Sequence, residues 1–101
     1  MPEIDHEQPP RIDPHSPLHT YQQISAWLER RIRSGDIQPG LPIPSEKTIG
    51  QAYPGVARTT VRRSIQHLRD RGLIFTVPQR GSYVATPDQW EPEERPGAGQ
   101  G

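Results

Sequence analysis

The sequence predicts a mainly α-helical domain with a small β-hairpin, a three-helix winged helix-turn-helix. Three observations predict this fold: apolar residues recur at helical spacing in three segments, Gly and Pro turns separate those segments, and two short runs of β-branched and aromatic residues follow the third. A chain of 101 residues is too short for a second core. We therefore expect one domain, over residues 17–86.

The two ends of the chain differ in composition from its centre. Residues 1–16 and 87–101 are rich in Pro and acidic residues and poor in apolar ones, so burial cannot offset the entropy lost on ordering, and both tails are expected to be disordered. The net charge of zero hides an asymmetry, because residues 18–86 carry ten Lys and Arg against four Asp and Glu. A basic centre between acidic flanks is the electrostatic pattern of a nucleic-acid binder.

The first helix is expected to begin at Ser16-Pro17, with Ser as N-cap and Pro at the first helical position. It should end near Ser34-Gly35, because Gly accepts the left-handed conformation of a helix C-cap and three Arg in the last turn suit the helix dipole. Its apolar stripe at helical spacing consists of Tyr21, Ile24, Leu28 and Ile32.

A Pro-rich connection and a short helix follow. Residues 35–44 contain too many prolines for a helix, but Ile37, Leu41 and Ile43 are expected to pack inward. Ser45 is the N-cap of the second helix, which runs to about residue 52. Because Gly50 disfavours a helix, its presence predicts close approach of a neighbouring helix.

The third helix begins at about Arg58, after a turn over 53–56 that contains Pro54 and Gly55. It ends before Gly72, and two strands over 73–77 and 82–84 then form a wing. The inward stripe of this helix consists of Val61, Ile65 and Leu68, and the outward face of Thr59, Arg62, Arg63 and Gln66.

Other classes of function lack the residues that they need. The absence of Cys excludes disulfides and thiolate chemistry, and no apolar run is long enough for a membrane span or a signal sequence. Neither Ser45 nor Ser64 has a convincing His and carboxylate partner for catalysis. We therefore expect no enzyme, no cofactor and no metal, since metal-like spacing is absent among His6, His15, His19 and His67.

The second and third helices form the pattern by which a helix enters the major groove of duplex DNA: a tight glycine turn, then Arg and Thr exposed over an aliphatic stripe. An Arg side chain can donate two hydrogen bonds to guanine, which is worth about 1–3 kcal/mol of discrimination against a wrong base. We expect the helix over about 58–71 in the major groove and the wing over about 73–85 on the flanking backbone or minor groove.

Four blocks of sequence resemble the DNA-binding domain of GntR-type winged helix-turn-helix transcriptional regulators. They are GDIQPG over 35–40, LPIPSEK over 41–47, VARTTVRR over 56–63, and GLI over 72–74 with RGSYV over 80–84. Their order and spacing extend the resemblance over about residues 18–86. It implies a bacterial transcriptional regulator, in particular a repressor, in which the DNA-contacting positions of the family are held by Lys47, Arg58, Thr59, Thr60, Arg62, Arg80 and Gly81. We also expect Ser45, Arg63 and Gln79 to bind DNA, and we expect the protein to be cytoplasmic and nucleoid-associated.

Three positions depart from the family pattern. Pro54 is an extra residue in the turn and is expected to change the angle between the two helices. Ala57 stands where the family usually has a Ser or Thr cap, at a cost of about 1 kcal/mol. Gln79 replaces a common wing glycine, which predicts a stiffer or differently shaped wing.

The expected partners are a double-stranded operator with an inverted repeat and a second copy of the chain on that DNA. Because only 15 residues follow Thr86, no small-molecule effector site is expected within this chain, although family members normally continue into an effector-binding domain. The alternatives are a winged-helix module that docks an acidic protein and, less favoured by the closed A-form major groove, an RNA binder. The acidic tails either solvate the chain ends or compete with phosphate for the basic face.

Overall fold

A computed structural model describes residues 11–92, and its architecture confirms the predicted fold class. Three helices are followed by one antiparallel hairpin and a short 3-10 helix over Pro87–Gln89. The helices are α1 (Thr20–Arg33), α2 (Glu46–Ala52) and α3 (Arg58–Asp70), and the strands are β1 (Ile74–Val77) and β2 (Gly81–Val84). Within residues 11–92, none of the helices has the length and apolar character that a membrane crossing requires.

Helix α1 starts later than predicted and ends where predicted. The expected start at Ser16-Pro17 is wrong, because the Ser16 hydroxyl accepts a hydrogen bond from the Leu18 amide (3.0 Å) in a separate turn. The helix begins only after His19, whose amide donates to the Gln22 side-chain oxygen at 2.9 Å. At the other end, Gly35 has a φ of +86° and terminates the helix.

The core lies between α1 and α3, with α2 and the hairpin closing its ends. The predicted inward stripe of α3 is buried, as are the last three residues of the α1 stripe. Trp27 of α1 is also buried and meets Tyr53 edge to face, at 6.0 Å between ring centroids. The fully buried apolar side chains are Ile24, Leu28, Ile32, Ile49, Val61, Leu68, Leu73 and Val84.

The connection between α1 and α2 runs alongside β2 and forms backbone hydrogen bonds with it. The Gly40 amide donates to the Val84 carbonyl at 2.9 Å, and the Ile43 amide donates to the Ser82 carbonyl at 3.0 Å. Ile37 and Ile43 are buried as predicted, but the prediction for Leu41 is wrong, since its side chain is 50% exposed. The Leu41 amide donates to the Gln38 carbonyl at 3.0 Å and the Leu41 carbonyl accepts from the Val84 amide at 2.9 Å, so the backbone of Leu41 is held against β2 while its side chain is exposed.

The prediction for Gly50 is also wrong. A Cβ atom built at Gly50 has no other heavy atom within 4 Å, apart from its immediate neighbours and its own helix backbone. Gly50 lines a surface cleft between α2 and the start of α3, which is why no neighbouring helix approaches it. The other features predicted for α2 are confirmed: Ser45 caps it by accepting from the Thr48 amide at 3.1 Å, and it ends at Ala52.

The packed region continues beyond the predicted boundary at residue 86. Residues 85–92, here the C-terminal strap, run back across the ends of α1 and α3. The Trp90 indole donates to the Ala85 carbonyl at 2.9 Å, and the Glu91 amide donates to the Arg71 carbonyl at 2.9 Å. Buried Arg71 donates to buried Glu29 at 2.5 Å and also to the Pro92 carbonyl. Of the tails predicted over 1–16 and 87–101, residues 1–10 and 93–101 lie outside the described residues.

The segment before α1 also contacts the domain. The Gln23 side-chain oxygen accepts from the Asp13 amide at 2.8 Å, and the Gln23 side-chain nitrogen donates back to the Asp13 carbonyl at 3.1 Å. Ile12 packs against the core and is partly buried. Residues 11–16, predicted as part of a disordered tail, are therefore fastened to α1 by these contacts.

Candidate nucleic-acid interface

Helix α3 presents a polar, cationic face to solvent. Its buried side rests on the core, which leaves Arg58, Thr59, Arg62, Arg63 and Gln66 exposed. The first acidic residue of the helix comes in its last turn, at position 70. Predicted position and character are thus confirmed for this face, while contact with nucleic acid stays a prediction.

Two clefts flank the first turn of α2. The turn cleft, of about 680 Å³, opens between α2 and the start of α3 and is lined by Lys47 and Arg58. The wing cleft, of about 410 Å³, opens between α3 and the hairpin. Four of the predicted DNA-binding residues line it: Arg62, Gln79, Arg80 and Gly81. Ser45 lines both clefts. Seven of the ten predicted site residues are therefore brought together on one surface.

Three cations on this surface have no partner in the described part of the chain. Lys47, Arg58 and Arg80 take part in no ion pair, side-chain hydrogen bond or ring contact there. Each is exposed. Exposed cations without intramolecular partners are free to contact an anionic ligand without first breaking a contact within the protein.

The remaining arginines are already engaged. Arg62 forms an ion pair with Glu46, with Nε 3.5 Å from the carboxylate oxygen. Arg63 lies over the Tyr21 ring of α1, with 4.2 Å between the guanidinium carbon and the ring centroid. Thr60 lines a shallow pocket with Arg63 and Tyr21, on the side of α3 that faces α1. Thr60 and Arg63 therefore line neither of the two clefts. Thr59 is exposed on α3 and also lines neither cleft.

The wing turns through three residues, from 78 to 80, and the Arg80 amide donates to the Val77 carbonyl at 2.9 Å. Gln79 at its tip has a φ of +67°, the only non-glycine residue with positive φ in the described chain. This conformation favours Gly, which explains why a glycine is common here in the family that the sequence resembles. The predicted change of wing shape at Gln79 stays a prediction.

Sequence reasoning missed the residues that join the wing to α3. Arg69 donates to the Thr76 hydroxyl and to the Gln66 side-chain oxygen. The Thr76 hydroxyl lies 3.1 Å from that of Ser82, its cross-strand partner. The observed register pairs these two hydroxyl residues, which was not predicted from the sequence. The position of Arg69 was detectable, since it lies two turns beyond Arg62 on the same face of α3.

A family model described as bacterial regulatory proteins, gntR family, matches residues 20–84. The chain belongs to the GntR family. This GntR chain is 36% identical to the HTH-type transcriptional repressor NagR of Bacillus subtilis over 75% of its own length and 31% of that of NagR. It is 31% identical to the mannosyl-D-glycerate transport/metabolism system repressor MngR of Escherichia coli, over 69% of the chain and 28% of MngR. The chain thus spans less than a third of the length of these curated relatives.

Solved structures of GntR proteins share this architecture. The DNA-binding domain of AraR in complex with operator ORX1 superposes with a TM-score of 0.66 at 34% identity, covering 73% of this chain and 90% of that one. YtrA from Sulfolobus acidocaldarius, a GntR-family transcription factor, superposes with a TM-score of 0.66 at 30% identity, covering 75% of this chain and 79% of YtrA.

Proposed function

We propose that this GntR domain binds double-stranded operator DNA sequence-specifically and serves as a bacterial transcriptional repressor. The observation that carries the proposal is a surface with three cations that have no partner among the described residues: Arg58 on the exposed face of α3, and Lys47 and Arg80 in the two clefts beside it. The AraR domain solved with operator ORX1 has the same architecture. The relatives NagR and MngR are both described by name as repressors. Binding to the bacterial chromosome places the protein in the cytoplasm.

The dimensions of α3 suit the major groove. Its 13 residues make a helix about 20 Å long. The major groove of B-DNA is about 12 Å wide and admits such a helix. With α3 inserted, Arg58, Thr59 and Arg62 face base edges near the helix start, and Arg80 on the wing reaches the flanking backbone or the minor groove.

The flanking residues have positioning roles in this proposal. Ser45 and Lys47 at the start of α2 approach a phosphate strand across the turn cleft, and Gln79 and Gly81 shape the wing beside Arg80. Thr60 and Arg63 lie nearer α1 and reach phosphates of the opposite strand. The operator is an inverted repeat, on which two copies of the chain bind with the symmetry of the DNA.

A titration of salt against duplex affinity tests this proposal. Wild-type protein is expected to show a linear fall of the logarithm of affinity with the logarithm of salt concentration, and Arg80→Ala a slope smaller by about one. Arg30→Ala is the matched control, since it removes an exposed cation that lines neither cleft and should leave the slope unchanged. Absence of salt-sensitive duplex binding by the wild-type protein would overturn the proposal.

A further inference from the structure

A single carboxylate stands within the basic surface. Among the described residues that line the turn cleft and the wing cleft, Glu46 is the only acidic one, and it lines both. The other acidic residues of the domain centre contact other groups: Glu29 pairs with Arg71, Asp36 pairs with Arg31, and Asp70 accepts a hydrogen bond from Gln66. A carboxylate in this place repels the phosphates that its neighbours attract. Its position in the first turn of α2 suits the helix dipole but does not account for its contact with Arg62.

Glu46 meets Arg62 in a specific orientation. A carboxylate oxygen of Glu46 lies 3.5 Å from Nε of Arg62, the guanidinium nitrogen nearest the backbone. The two terminal nitrogens of Arg62 donate no hydrogen bond to the described residues. Those two nitrogens form one of the donor pairs that can bind guanine O6 and N7 in a bidentate contact. The ion pair therefore engages Nε and leaves the two terminal nitrogens available for base recognition.

We propose that Glu46 is a positioning residue for specificity: it aims the guanidinium of Arg62 at one guanine and keeps phosphate away from it. This inference rests on the proposed function. Stability does not account for the pair, because the side chains of Arg62 and Glu46 are 62% and 47% exposed, and an ion pair in water at such exposure contributes little to folding. On docking, water leaves the surface and the attraction between the two groups becomes stronger.

The carboxylate also selects among the ligands open to Arg62. A phosphate that approaches the terminal nitrogens comes close to the negative charge of Glu46 and is repelled, whereas a guanine edge is neutral and is not. Loss of Glu46 should therefore have two opposite effects. Affinity for DNA of random sequence rises, because repulsion is removed, and discrimination at the guanine read by Arg62 falls.

The experiment first selects bound duplexes from a random pool and identifies the G·C pair whose discrimination Arg62→Ala removes. Wild-type protein is expected to prefer that pair about tenfold or more over the alternatives. Glu46→Gln should reduce this preference by about threefold or more at that pair alone. It should also bind random-sequence duplex more tightly than wild type does.

Asp36→Asn is the matched control, because it removes one carboxylate from an ion pair with Arg31 that lies outside both clefts. It should leave the preference at every position unchanged. In an Arg62→Ala background, Glu46→Gln should no longer alter the preference, since the group that it positions is absent. Thermal unfolding of each variant shows that the measurements compare folded proteins.

Two results would overturn the inference while wild-type protein binds its selected sequence. One is an unchanged preference in Glu46→Gln at the pair that Arg62 reads. The other is an equal loss of preference at all positions, which indicates a general distortion of the surface. If wild-type protein selects no sequence at all, the proposed function has failed instead, so the two failures are distinguishable.

Discussion

At the scale of single residues, Tyr53 carries a polar group that the fold does not satisfy. Its hydroxyl is buried and has no hydrogen-bond partner among the described residues. Burial raises the pKa of Tyr53 from 10.0 to about 12, and the positive charge of Arg30, which lowers this pKa, offsets only part of that effect. Because the folded pKa lies above that of an unfolded tyrosine, the unfolded chain loses its proton first. The native state is therefore destabilised as pH rises from 10 toward 12, and below pH 10 this effect is absent.

Replacement of Tyr53 by Phe tests this account. Tyr53→Phe removes an unsatisfied buried hydroxyl, so we expect the free energy of unfolding at pH 7 to rise by about 1 kcal/mol. The loss of stability above pH 10 should become smaller than in wild type. Denaturant unfolding at pH 7 and along a series from pH 9 to pH 12 measures both effects. Tyr83→Phe on the wing is the control, and an equal change in that variant would contradict the explanation.

Sequence reasoning at this scale succeeded where a residue acts through its neighbours in the chain. Ser45 as a cap and Gly35 as a helix terminator both depend on local backbone geometry, which residue type predicts. It failed for Leu41 and Gly50, whose surroundings are set by β2 and by the open turn cleft. Contacts distant in sequence decide those two environments, and residue type alone does not encode them.

At the scale of elements, the two helices of the helix-turn-helix begin differently. Ser45 caps α2 with its hydroxyl, whereas Ala57 precedes α3 and offers no side-chain acceptor. The backbone of Ala57 is extended, with φ −64° and ψ 147°, as an N-cap requires. A hydroxyl at position 57 would thus find the start of α3 already in the geometry for a cap.

This difference predicts opposite effects of two substitutions. Ala57→Ser should raise the free energy of unfolding by about 1 kcal/mol, and Ser45→Ala should lower it by about as much. Thermal or denaturant unfolding of the two variants beside wild type measures the changes. Equal melting temperatures for Ala57→Ser and wild type would show that the start of α3 gains nothing from a cap.

The boundaries of the elements show which signals were sufficient. The start and end of α2, the start of α3 and the hairpin were predictable, because caps, Gly turns and β-branched runs mark them. The start of α1 was not, since Ser16-Pro17 has the sequence of a cap but forms a turn of its own. The helix is instead capped by His19 and Gln22, and sequence rules rank these residue types low as caps.

At the scale of the whole molecule, the C-terminal strap closes the open end of the helical core. Arg71 and Glu29 form a buried ion pair between α1 and the end of α3, and the strap carbonyl of Pro92 accepts from the same guanidinium. A Cβ atom at Gly72 would lie 2.2 Å from the Gln89 carbonyl oxygen. Gly72 therefore permits the strap to pass, a requirement that the sequence does not reveal.

Shortening the chain tests the contribution of the strap. A chain that ends at residue 86 loses the carbonyl acceptors and the Trp90 contact, and we expect its free energy of unfolding to fall by about 2 kcal/mol. A chain that ends at residue 92 keeps the strap and is the control. Gly72→Ala should destabilise more than Gly35→Ala, which has positive φ but no atom near its Cβ. Equal melting of the two shortened chains would refute this role.

The hydrogen bonds of Arg69 have a thermodynamic consequence for recognition. Arg69 ties α3 to Thr76 of β1, and Thr76 meets Ser82 of β2, so the helix and the wing are joined before any ligand arrives. The interface is preorganised: the entropy of arranging its parts is lost during folding and not again on association. Binding should accordingly leave the backbone of α3 and the wing almost unmoved, with the induced rearrangement confined to exposed side chains such as Lys47 and Arg80.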